Sequence, residues 1–172
     1  GLMTLANISS ILEPNNLNRK IFGFDTFEGF SGVSENDKSM DNTHVKEGGY
    51  YCNSYERIQK SINLYDENRF LGHVNKVKLV KGDIRKTLDV FLDENPHVVF
   101  SLVYFDMDIY EPTKYTLEKI ISRIPKNGII AFDEVNHESF PGETVALLET
   151  FDLRNIELKR LPFCSRISYI QL

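Results

Sequence analysis

No stretch of this 172-residue chain approaches the ~20 consecutive apolar residues that a bilayer-spanning helix needs, so a helical transmembrane protein is excluded. Residues 1–12 also lack a basic leader and a small-residue cleavage site, so no signal peptide is expected. Basic residues are in deficit, with 20 Lys and Arg against 25 Asp and Glu, and they form no block. A binder of phosphate backbones needs such a block, so nucleic acid is not an expected partner. Cysteine is scarce too. Cys52 and Cys164 lie far apart without metal-ligand spacing, which excludes a structural zinc site and a disulfide scaffold. These absences leave a soluble, cytoplasmic chain with no membrane partner, long enough for one domain over residues 1–172 with a sizeable core.

What is present is an alternation of two periods. Apolar residues at steps of three and four predict a helix over 2–12, stopped at Glu13 by the proline that follows. Residues 20–25 read as a buried parallel strand with Asp25 at its tip. A helix is expected over 54–71, with Tyr55, Ile58, Ile62 and Tyr65 on one face. Further strands are expected at 77–82, 98–105 and 129–132. They alternate with helices at 85–94, from Pro112 to about 123, and at 143–151. Two last strands, 156–161 and 167–172, have no room for a helix between them and predict an antiparallel hairpin. The pattern as a whole is that of a doubly wound, mainly parallel α/β sheet.

Residues 26–53 break the alternation. They are rich in Gly, Ser, Asn, Asp and Glu, yet carry Phe27, Phe30, Tyr50 and Tyr51. A connection this long is a functional cover or a linker, and the aromatics favour a lid-like insertion.

Four successive strands end in acid: Asp25, Asp83, the pair Asp106 and Asp108, and the pair Asp133 and Glu134. One such residue can simply cap the next helix. Four in a row make an acidic rim at the carboxyl edge of the sheet, where open α/β folds bind ligands. Asp25 suits ribose hydroxyls. Asp106, Asp133 and Glu134 offer only hard oxygen donors and so suit Mg²⁺ rather than zinc. Solvated loop acids are the bland alternative.

Several runs of the chain resemble the macrocin O-methyltransferase family of S-adenosylmethionine-dependent enzymes, in the same order. They are Phe24-Asp25-Thr26-Phe27-Glu28-Gly29-Phe30; Val80 to Asp83 with Thr87 and Leu88; Phe105-Asp106-Met107-Asp108-Ile109-Tyr110-Glu111-Pro112-Thr113; Asn127 to Glu134; and Phe140-Pro141-Gly142-Glu143. The resemblance implies a Rossmann-like fold, S-adenosylmethionine and Mg²⁺ as cofactors, and methylation of a hydroxyl on a small-molecule or glycoside acceptor. By position it implies that Asp25 holds the ribose and that Asp83 lies beside the adenine. Asp106 would sit near the methyl donor as metal ligand and general base, and Asp133 and Glu134 would complete the metal site. The family pattern has two aspartates followed by an aromatic where this chain has Asp133-Glu134-Val135. Gly1 matches the last residue of the family's glycine-rich cofactor turn. The first, central strand and the rest of that turn are therefore expected to be missing from this sequence.

Among the other candidates, His137 and His44 are placed where they can meet substrate, while His97 reads as structural. Self-association into a homo-oligomer is left open. Two rival functions fit the fold: a nucleotide-dependent oxidoreductase, which needs no such acid triad, and a non-catalytic methyltransferase-like protein.

Overall fold

The structure, a computed structural model, describes residues 1–39 and 42–172. Strands β1 (Ile21–Asp25) and β2 (Val77–Lys81) pair in parallel, from Ile21 opposite Val77 to Asp25 opposite Lys81. Strands β3 (Leu102–Phe105) and β4 (Ile129–Phe132) also run parallel. The closing hairpin of β5 (Leu158–Arg160) and β6 (Ser168–Gln171) is antiparallel, and β6 lies antiparallel beside β4. The order is thus β1-β2 in one sheet and β3-β4-β6-β5 in the other. β1 and β3 are not paired to each other. The two pieces nevertheless sit together: Arg19, just before β1, donates to the Ser101 hydroxyl just before β3 at 2.8 Å.

Helices cover both faces because side chains alternate along β1. Ile21 turns to a small cluster of Ala6, Ile62 and Val77, built by α1 (Leu2–Leu12) and α2 (Tyr55–Asn68). Gly23 shares that face, where a Cβ would meet Leu2 and Leu79 at 3.1–3.2 Å, so the bare backbone lets α1 approach. Phe22 and Phe24 turn the other way, edge-on to Phe91 of α3 (Ile84–Glu94) at 4.7 and 5.2 Å. There the larger core runs on through Leu88, Phe105, Leu117, Ile130, Phe132, Leu147 and Ile170. It joins α3 to α4 (Tyr110–Ile120) and α5 (Pro141–Thr150).

The elements follow the sequence expectation with two differences. The strand expected over 98–105 pairs only from Leu102. Before that, the Val98 amide turns back to Asn95 and the Phe100 amide bonds the Arg123 carbonyl, so both leave the ladder. Val99 and Leu102 are exposed, so this run is not buried on both faces. The 26–53 connection holds a 3₁₀ turn at Glu35–Asp37 and closes at its base, where Phe30 exchanges backbone bonds with Gly48 and Gly49 at 2.9 and 3.0 Å. No helix is long and apolar enough to cross a membrane among the described residues.

Candidate active site

Parallel pairing of β1 with β2 and of β3 with β4 puts Asp25, Asp83, Asp106 and Asp133 at the carboxyl ends of their strands, and the two pairs meet there closely enough for the Asp25 charge to act on Asp106. Asp25 is exposed at the tip of β1, and its Oδ1 accepts the Phe27 amide at 2.7 Å. That bond folds the chain into a tight turn with Phe27 and Gly29 at φ of 57° and 80°. Asp83 caps α3 by accepting from the Arg85 amide, and both its oxygens accept from the Arg85 guanidinium. Burial pushes the Asp83 carboxyl up, but the Arg85 hydrogen bonds outweigh it and hold the group below the usual range. Asp83 is therefore committed to Arg85, which also reaches the Ser31 carbonyl at 2.9 Å and so ties α3 to the 26–53 connection.

Asp106 and Asp108 leave β3 on a short turn in which the Ile109 amide bonds the Met107 carbonyl at 2.7 Å. Asp108 has a φ of 62°, in the left-handed region that an aspartate enters at a cost. Burial raises the Asp106 carboxyl, and the charges of Asp133 and Asp25 raise it further. Asp108 is pushed up to about 7, first by burial and then by Asp106, Glu134 and Asp133. The acids expected at the rim thus feel one another, as a shared site requires.

Asp133 is held from two sides. Its Oδ1 accepts the Tyr104 hydroxyl at 2.6 Å, and its amide bonds the Phe105 carbonyl at 3.1 Å and Glu143 Oε1 at 3.2 Å. Glu134 is almost fully buried, with Oε1 3.2 Å from Arg166 and Oε2 3.6 Å from His137. Burial nonetheless raises its carboxyl, against the pull of His137 and Arg166. Gly1 lies at the head of α1 next to β3, where an added Cβ would be 4.0 Å from the Tyr104 ring.

Among the described residues no three His, Cys, Asp or Glu side chains gather tightly enough to hold a metal ion. Asp106, Asp133 and Glu134 are neighbours in the field of the site, but Glu134 points to Arg166 and His137 rather than to a point shared with the other two. The donor set still fits a hard divalent ion in kind: every donor is a carboxylate oxygen, and buried Glu134 Oε2 has no hydrogen-bond partner.

Two residues to which the sequence assigns no role stand at the site. Glu143, fully buried at the start of α5, has its carboxyl pushed up to about 9 by burial and by Asp108, so it stays neutral at pH 7. Asp37 is buried within the 26–53 connection. The signal that could have found Glu143 is a carboxylate one helical turn inside an otherwise apolar helix start. His44 and His137, which the sequence places where they can meet substrate, join an aromatic chain: His44 to Tyr50 at 6.0 Å, Tyr50 to Phe140 at 6.0 Å, and Phe140 to His137 at 5.5 Å.

Parallel strand pairs that end in acids, with helices on both faces, mark a Rossmann-like fold of the methyltransferase kind. The chain belongs to the macrocin-O-methyltransferase family (TylF), which it matches over residues 4–152. It is similar to the crystal structure of CalS11, a calicheamicin methyltransferase. The two are 35% identical with a TM-score of 0.92, over 98% of this chain and 66% of that one. An apo structure of CalS11, described as a TDP-rhamnose 3′-O-methyltransferase of calicheamicin biosynthesis, is 34% identical with a TM-score of 0.79, over 98% of this chain and 64% of that one. The O-methyltransferase NovP shares the fold at 19% identity and a TM-score of 0.66, over 94% of this chain and 63% of that one. No curated protein matches the chain. The chain spans about two thirds of the length of these structural relatives.

Proposed function

We propose that this protein transfers a methyl group from S-adenosylmethionine to a hydroxyl of a small-molecule glycoside or sugar, with Mg²⁺ assisting. One observation carries the reading: the family match over 4–152 spans every acid of the rim, and Asp25, Asp83, Asp106 and Asp133 each stand at or just past the carboxyl end of a parallel strand.

When bound, S-adenosylmethionine supplies an electrophilic methyl on sulfur and Mg²⁺ lowers the pKa of an acceptor hydroxyl. The chain does the rest. Asp25, exposed at its strand tip, accepts the ribose hydroxyls. Asp83 and Arg85 shape the wall beside the adenine, and Gly1 leaves room for the methionine end. Asp106, Asp133 and Glu134 would hold the ion, and for Glu134 that means releasing Arg166. The 26–53 connection acts as the lid over the acceptor and excludes water from an in-line displacement.

The proton of the acceptor goes to a carboxylate. Asp106 lies at the centre of the rim and takes that role in the first reading. A second reading assigns it to Asp108, because a carboxyl raised to about 7 is a far better base at neutral pH than an ordinary aspartate.

The test is a methyl-transfer screen across glycosides and nucleotide sugars, with and without Mg²⁺, read by product mass. A mass gain of one methyl on a sugar hydroxyl is the expected result. Binding of S-adenosylhomocysteine with no transfer to any hydroxyl would favour a non-catalytic binding protein.

A further inference from the structure

Helix α4 begins immediately after the Asp106–Asp108 turn, yet its own N-cap residue, Ile109, has no side-chain acceptor for the free amides of the first turn. The acceptor comes from elsewhere. Asp37, 73 residues earlier and 1% exposed, places Oδ1 2.6 Å from the Tyr110 amide nitrogen. Its other oxygen accepts the Ser34 amide at 2.7 Å and the Ser34 hydroxyl at 2.8 Å, closing a capping box around Glu35–Asp37. Gly142, at the start of α5, completes the joint. A Cβ there would overlap Asp37 Oδ1 and come 2.5 Å from the Tyr110 nitrogen.

We infer that Asp37 is a positioning residue. It caps α4 across the fold and thereby fixes the Asp106–Asp108 turn to the 26–53 connection. The inference rests on the proposed methyl transfer for its functional half only. Asp37 gives the connection a fixed hold on the turn that carries the candidate base. If Asp37 leaves, a part-buried amide loses its charged partner, and Asp108, at its φ of 62°, loses the neighbour that holds the next turn in place. The segment that meets the acceptor and the turn that takes its proton therefore move as one body. Acceptor binding would be felt at Asp108 through this single carboxylate.

The experiment follows amide hydrogen exchange at residues 107–111 together with S-adenosylhomocysteine affinity and transfer kinetics, in Asp37→Ala, Asp37→Asn and Ser34→Ala. Asp37→Ala should speed exchange of the Tyr110 amide by at least about fivefold, as loss of a helix cap does. It should lower kcat while leaving S-adenosylhomocysteine affinity within about twofold. Asp37→Asn keeps an oxygen for Tyr110 and should recover most of the Tyr110 protection. Ser34→Ala should loosen residues 34–38 and leave Tyr110 protected. Unchanged Tyr110 exchange in Asp37→Ala would overturn the cap. Faster exchange with an unchanged kcat would overturn the positioning role. If Asp37→Ala does not fold, Gly142→Ala decides, because its Cβ would displace Asp37 Oδ1, and a Tyr110 amide as protected as in the wild type there refutes the inference. Failure of the wild type to transfer a methyl, with the exchange pattern as expected, would strike the proposed function and leave the cap standing.

Discussion

Tyr104 of β3 donates its hydroxyl to Asp133 just past β4 at 2.6 Å, so the first acid after β4 is oriented by the neighbouring strand. Burial and the nearby carboxylate push the Tyr104 phenol far above its ordinary value, so it remains a donor at every working pH. Tyr104→Phe removes that donor and keeps the ring. Asp133 should then turn freely, with a stability loss of about 1–2 kcal/mol by urea unfolding and a lower rate of methyl transfer.

Asp25 offers an exposed carboxylate to the donor. Asp25→Ala should weaken S-adenosylmethionine binding by roughly 1.5–3 kcal/mol, the worth of a hydrogen bond to a charged group, as measured by calorimetry. An unchanged dissociation constant would remove Asp25 from the ribose site.

Removal of divalent ions should abolish transfer and leave donor binding largely intact, because the ion would hold the acceptor rather than the donor. Asp133→Ala should behave as EDTA does. Full activity in EDTA would show that Asp106, Asp133 and Glu134 are not a metal site.

The rate should rise with pH through about 7, since a protonated Asp108 cannot accept the acceptor's proton. In Asp108→Asn that limb should vanish along with most of the activity. A mutant that keeps both would return the proton to Asp106.

Stability should move the other way. Glu143 holds its proton up to about 9 when folded but ionises near 4.5 when unfolded. Between those values the folded state binds more protons, so its contribution is fully present below about 4.5 and is lost as pH rises through about 9. The slope is about 1.4 kcal/mol per pH unit for one group. Glu143→Gln keeps an acceptor for the Asp133 amide and carries no titratable proton. It should flatten the pH dependence of denaturant unfolding and leave the protein more stable at pH 8 than the wild type.

The elements and the acid rim were legible in the sequence because both rest on local signals. Short apolar runs mark the strands, and Asp25, Asp83, Asp106 and Asp133 close those runs or follow them. The unread features depend on distant partners. The Tyr110 amide bonds an aspartate 73 residues away, and Glu134 turns to an arginine that no local pattern links to it. Glu143 looks like an ordinary first-turn acid of α5, and only the packing of α5 against the rim makes it a buried one. The strand is shorter than the apolar run of 98–105 because apolar residues alone do not reveal where their amides bond. Asn95 and Arg123 draw off the first two.

The exchange of backbone bonds between Phe30 and the Gly48–Gly49 pair makes the intervening stretch a cassette. An added Cβ on Gly29 would lie 2.7 Å from the Gly48 carbonyl, so this neck tolerates little change in its own residues. What it encloses is under a weaker constraint, because the closure entropy of a loop rises by only about 0.6 kcal/mol for each doubling of its length. Natural variation can therefore lengthen, shorten or replace the enclosed residues while the neck and the Asp37 joint stay in place. Protein engineers can do the same: transplanting residues from a relative between the same two closing residues, with Ser34 and Asp37 kept, alters what the rim meets without rebuilding the sheet beneath it.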